Sequence, residues 1–171
     1  MRKPSAKFEY KTFSLGEQLT EEQKEYFIKY GVIHFKNFID PKTAELFISE
    51  LAKIEKTWLE EGIEKVKGTP LKFGKDHEGN PMIQRMCFTN QYSPVLAELL
   101  KDPRLQLMIE LLGPYEGRIS EDEKDGLVFN HYINEPNSKF SQMGWHTDSP
   151  RDLFLGQKIL PMLNVGIHLD N

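Results

Sequence analysis

At Asp40-Pro41, Ser93-Pro94 and Asp102-Pro103 a helix-capping side chain stands directly before proline and ahead of an apolar helical period, and these pairs mark where helices can begin. An Asp or Ser side chain at the N-cap accepts from a backbone amide of the first turn. Proline at the first helical position gives up an N–H that has no acceptor within the helix. From Asp40-Pro41 the pattern predicts a long amphipathic helix to about Gly62, with Leu46, Phe47, Leu51 and Ile54 on one face. Ser93-Pro94 opens a helical region that Asp102-Pro103 divides in two and Gly113-Pro114 ends. In it Leu96, Leu99, Leu100, Leu105, Met108, Leu111 and Leu112 supply a core face. A fourth start, Thr20-Glu21-Glu22-Gln23, is a capping box, and the short helix it begins runs to about Lys29, where Gly31 stops it.

Between and after these helices the texture is that of strands. Val32-Ile33-His34-Phe35-Lys36-Asn37-Phe38 is rich in β-branched and aromatic residues without a helical period, and Met82-Ile83-Gln84-Arg85-Met86-Cys87-Phe88 is a second strand candidate. Residues 65–81 are rich in Gly, Lys and Asp, with turn signals in Asp76-His77-Glu78-Gly79-Asn80-Pro81, and a mobile loop is expected there. After an acidic loop at 121–125, strands are expected at about 126–134, near 142–148, and at 159–170. Residues 1–18 form an N-terminal arm in which Phe8, Tyr10 and Phe13 can lie against the body, and 19–171 form the domain proper.

A chain of 171 residues is one domain's worth, at about 100–200 residues per domain. With 39% hydrophobic and 11% aromatic residues it can bury a core, which excludes a chain that stays disordered. Its formal net charge is −4 and its charges of both signs are interleaved, so there is no basic stripe of the kind that binds nucleic acid or an anionic membrane. Met1-Arg2-Lys3-Pro4-Ser5 is followed by no apolar leader, and one cysteine, Cys87, cannot form an internal disulfide. These features point to a soluble protein of the reducing cytoplasm.

The most informative string is Gly144-Trp145-His146-Thr147-Asp148. Residues two apart in a strand point to the same side, so His146 and Asp148 share one space. An imidazole and a carboxylate there are two of the three ligands of the facial triad that holds non-haem Fe(II) and leaves positions open. Taken alone, an H-x-D is a weak signal, equally met by an exposed loop pair or a core histidine. Its surroundings add weight: Ser149-Pro150 turns the chain and a new strand starts near Ile159, which is a jelly-roll arrangement. In that strand Leu163, Val165, Ile167 and Leu169 form an apolar face. Met162, Asn164, Gly166, His168 and Asp170 form the opposite, more polar one.

In their order along the chain, several segments resemble the phytanoyl-CoA hydroxylase family of Fe(II)- and 2-oxoglutarate-dependent dioxygenases. Residues 19–38, with Gly31-Val32-Ile33 at the helix-to-strand junction, are similar to the family's opening. Ile83-Gln84-Arg85, followed by Ser93-Pro94 through to Gly113-Pro114, resembles its second block. Tyr132-Ile133-Asn134-Glu135-Pro136 resembles the strand before its H-x-D, and Trp145-His146-Thr147-Asp148 the H-x-D itself. The likeness spans nearly all of residues 19–171. It implies an α+β fold, a double-stranded β-helix (jelly roll, cupin-like) with N-terminal helices packed on the sheet. It implies further that His146 and Asp148 bind Fe(II), and that Arg85 helps to hold the cosubstrate 2-oxoglutarate while O₂ takes an open position. A guanidinium suits that task because it can make two parallel hydrogen bonds to a carboxylate. The other reading of Arg85 is a surface arginine in a salt bridge. His131 and Asn164 match positions that line the cosubstrate pocket, although their residue types differ from those of the best-known member. Asn164 is equally a satisfied polar residue of a sheet.

The reaction so implied is hydroxylation of a small organic substrate, an acyl-CoA, an amino acid or a natural product, with 2-oxoglutarate decarboxylated to succinate. Asp148 favours hydroxylation over halogenation, since related halogenases carry a small residue in its place. The rival reading is a catalytically inactive jelly-roll scaffold or binding protein. His168 is placed too early for the family's third ligand, His34 reads as a core or edge residue of an early strand, His77 lies in a turn with no partner pattern, and Cys87 reads as a buried small hydrophobe. Beyond Asp148 the chain holds no arginine except Arg151, so the third ligand and the arginine that anchors the far carboxylate are expected after Asn171, in the remainder of a longer enzyme.

Overall fold

The structure is a computed structural model, and it describes residues 9–120, 125–132, 154–156, 158 and 160–169. The capping box forms as the sequence predicts: the Gln23 amide donates to Thr20 Oγ1 at 3.2 Å and the Thr20 amide to Gln23 Oε1 at 2.9 Å. Helix α1, Glu21–Tyr30, follows and ends at Gly31, whose φ of 72° suits the left-handed region that glycine enters without strain. Three side chains of α1 reach the arm, Glu22 by an ion pair with Lys11. Gln23 Nε2 donates to the Ser14 carbonyl at 3.0 Å, while the Tyr26 hydroxyl donates to the Glu9 carbonyl at 2.7 Å and accepts from the Lys11 amide at 3.2 Å. Held in this way, Thr12–Ser14 becomes strand β1 and pairs in parallel with β2, His34–Lys36. The described part of the arm is thus a strand with Phe13 buried edge-on against Tyr26, while Tyr10 stays exposed and bonds through its hydroxyl to His34 Nδ1.

Helix α2, Pro41–Glu61, starts at Asp40, whose carboxylate accepts from the amide and hydroxyl of Thr43 at 3.0 and 2.6 Å. Its buried stripe is Phe47, Leu51, Ile54 and Trp58, at the helical spacing of three and four. Leu46 is not part of it: one residue off the stripe means about 100° around the helix, and the side chain is 47% exposed. Helices α3, Pro94–Leu99, and α4, Pro103–Met108, start at the two other capped prolines. Ser93 Oγ accepts from the Leu96 amide and Asp102 Oδ1 from the Arg104 amide, and a 3-10 turn at Ile109–Leu112 follows.

Residues 65–81 are not the loop that was expected. They hold β3, Lys65–Val66, β4, Thr69–Pro70, and β5, Lys72–Lys75, with a turn between β3 and β4 and another before Pro81. Lys67 and Gly68 join β3 to β4 at φ of 48° and 81°, the positive pair that a tight two-residue hairpin requires. The strands were hidden because lysines flank them, and two to four residues are too few to show an alternating pattern. Strand β6, Pro81–Met86, is the middle of a three-stranded antiparallel sheet ordered β5-β6-β7, with β7 at Phe129–Asn130. A register shift lies between Lys72 and Phe73. Next to it on β5 stands Gly74, where a Cβ would come within 2.4 Å of Nε2 of the buried Gln84, so a larger residue there would displace the Gln84 side chain.

The core joins the α2 stripe to Val66, Leu71, Ile83, Met86, Cys87, Phe88 and Leu96. Each such aliphatic side chain contributes about 1.5–3 kcal/mol by leaving water. The fold is mixed helix and strand, and none of the three small sheets among the described residues closes. Of the later strands, the one expected at 126–134 is reduced to β7, with its last two residues outside the described set; the one near 142–148 lies wholly outside it. Residues 160–169 form no regular element, which corrects the strand expected there. The alternation survives in part: Leu163, Ile167 and Leu169 are half-buried, and Leu169 packs on the core, but Val165 is exposed. An apolar period gives a strand only where a neighbouring backbone completes the ladder. No helix among the described residues is long and apolar enough to cross a membrane.

Candidate functional site

At the end of β6 the chain turns sharply into a 3-10 turn, Thr89–Gln91, through Phe88 at φ 56°. A left-handed backbone at an aromatic residue costs on the order of 1–3 kcal/mol and persists only where its neighbours enforce it. Here they do. The Phe88 amide donates to the Asp125 carbonyl at 2.8 Å, and the Thr89 amide and hydroxyl donate to the Leu127 carbonyl at 3.0 and 2.9 Å. The Leu127 amide donates in turn to Asn90 Oδ1 at 3.2 Å. These four bonds dock residues 125–127 on the end of the central strand.

Their consequence is the position of Asp125. Its Oδ2 lies 2.6 Å from Arg85 Nη2, and its Oδ1 accepts from Thr69 Oγ1 at 3.3 Å. Both ion-pair side chains are about one-third exposed, at 34% each. Arg85 is therefore in a salt bridge, the second of its two sequence readings. The bridge is single-stranded all the same, for among the described residues Arg85 Nε and Nη1 have no hydrogen-bond partner. A guanidinium that already holds one carboxylate and keeps donors free is chemically fitted to a second one. In the sequence Asp125 is the last residue of an acidic loop, with nothing beside it that pairs it with Arg85. The available signal was the Asp125-Gly126 turn, with Gly126 at φ 61°.

Cys87, next along from the pair, is fully buried, with Sγ 3.9 Å from the Thr69 carbonyl. Burial pushes its thiol pKa up, and the Asp125 carboxylate adds to the rise. It is thus the small buried hydrophobe that was expected.

His131 continues the β7 ladder, its amide donating to the Gln84 carbonyl at 2.8 Å. Its ring sits 6.0 Å from that of Phe129 and lines an open groove of about 440 Å³ with Glu55, Leu59 and Met82. Arg85 lies directly opposite Asn130, and successive strand residues alternate faces, so Arg85 and His131 stand on opposite sides of the sheet. Asn164 is exposed within residues 160–169. His146 and Asp148 lie outside the described residues. His34, His77 and His168 are exposed and scattered, and among the described residues no three His, Cys, Asp or Glu side chains are grouped to hold a metal ion. Comparison of the chain with family models, with curated proteins and with solved structures found no match.

Proposed function

We propose that the chain is part of an Fe(II)- and 2-oxoglutarate-dependent oxygenase that hydroxylates a small organic molecule inside a jelly-roll lumen, in the cytoplasm, without nucleic acid or membrane as partner. The observation that carries this reading is Trp145-His146-Thr147-Asp148, preceded by Arg85 and by Tyr132-Ile133-Asn134-Glu135-Pro136 in the same order as in the phytanoyl-CoA hydroxylase family. Support of a different kind comes from Arg85, a partly exposed guanidinium on the central strand with donors to spare.

In this reading His146 and Asp148 hold the iron, one imidazole nitrogen and one carboxylate on the same strand face. Arg85 binds a carboxylate of 2-oxoglutarate and fixes its direction. Iron and 2-oxoglutarate together supply the activation of O₂ for hydroxylation, with succinate and CO₂ as co-products. Asp148 keeps a coordination position that a halide would otherwise take. His131 and Asn164 are assigned to the walls of the cosubstrate pocket through the family likeness.

The test is an anaerobic titration with Fe(II) and 2-oxoglutarate, performed on this chain and on one extended past Asn171, watched for a weak visible charge-transfer band. A band in the extended chain that disappears in His146→Ala is the expected result. Absence of the band from the extended chain contradicts the oxygenase reading and leaves a metal-free scaffold.

A further inference from the structure

We infer that Asp125 is a positioning residue for Arg85, aiming its guanidinium so that one two-donor edge meets a carboxylate of a small dianion; this rests on the oxygenase reading above. An arginine one-third exposed to water loses most of its rotamer freedom when it binds an anion, and that loss weakens binding unless something has already fixed the side chain. Asp125 is built to do so. Its carbonyl accepts from the Phe88 amide, its Oδ1 from Thr69 Oγ1, and its Oδ2 grips Arg85 Nη2 at 2.6 Å. The fulcrum is thus tied to the β3–β4 hairpin and to the strained turn after β6 before it touches the arginine. A single contact uses one Nη2 hydrogen and leaves the other, which with Nε or Nη1 still makes up a two-donor edge.

A structural ion pair and a positioning contact differ in what charge alone accounts for. Asp125→Ala and Asp125→Asn both remove the negative charge, and both therefore relieve its repulsion of an incoming anion equally. The Asn variant alone keeps an acceptor for Nη2. The difference between the two variants isolates the positioning.

The experiment titrates the full chain with 2-oxoglutarate without added metal, following the Arg85 Nε–H resonance by ¹⁵N NMR, with the thermal transition recorded for each variant. Asp125→Ala is expected to bind at least ~3-fold more weakly than Asp125→Asn, the scale set by ordering one long side chain. Its Arg85 Nε–H should also show larger-amplitude motion. Equal binding by the two variants overturns the inference. Should Asp125→Ala lose its cooperative transition, Thr69→Val decides, since it unties Oδ1 and keeps the charge: binding weaker than wild type supports positioning, and unchanged binding overturns it. Arg85→Gln separates the two layers. If it binds 2-oxoglutarate as the wild type does, the assignment of Arg85 to the cosubstrate falls, and the role of Asp125 falls with it.

Discussion

Arg104 shows how one side chain can fasten distant parts of this chain. Its guanidinium bonds Asp102 through Nε and Nη2, stacks over the Phe38 ring at 4.2 Å and donates to the Phe38 carbonyl, so the start of α4 is pinned to the segment after β2. The hydrogen bond from Arg104 holds the Asp102 carboxyl below the usual carboxylate range. A carboxyl depressed in the folded state adds stability above its unfolded value, about 3.9, and loses it as pH falls through the lower folded value. Asp102→Asn keeps a good N-cap and removes the charge. It should lower the Tm at neutral pH, and the gap to wild type should close as the pH is taken below about 4, as followed by circular dichroism. Cys87 gives a second residue-scale outcome. With its pKa raised by burial, the native thiol should react with a disulfide reagent at pH 8 at least ~10-fold more slowly than in the denatured chain. Rapid native labelling would mean that the turn at Phe88 opens readily.

Among the elements, those with punctuation were legible and those without were not. Asp40-Pro41, Ser93-Pro94, Asp102-Pro103 and the Thr20 box each began a helix where expected, because a cap is a local bond between residues two or three apart. Strands carry no such local signature when they are short. Lys65–Val66 and Thr69–Pro70 exist by pairing with each other, and residues 160–169 show an apolar period with no ladder among the described residues. Leu46 marks the resolution of a helical pattern, since a shift of one residue separates core from surface. Ile54→Ala should therefore cost about 2–5 kcal/mol in denaturant unfolding, whereas Leu46→Ala should stay within about 0.5 kcal/mol of wild type. Equal losses would show that α2 is seated on a different face.

On the scale of the whole molecule, the candidate site divides in the same way. His146-Thr147-Asp148 and Arg85 are legible as residue types in an order, which is all that one sequence holds. The grip of Asp125 on Arg85 is not legible, because it joins positions 40 residues apart and depends on a strained turn that no local pattern announces. Nor does the sequence show that Arg85 and His131 fall on opposite faces, a fact of register alone. The central claim is that His146 and Asp148 are iron ligands, and Fe(II) affinity measured anaerobically on the chain extended past Asn171 tests it most directly. In the proposed site His146→Ala and Asp148→Ala should each weaken Fe(II) binding by at least ~100-fold while the thermal transition stays intact, since each would remove one of the donors of a facial triad. Affinity unchanged in either variant would contradict the assignment.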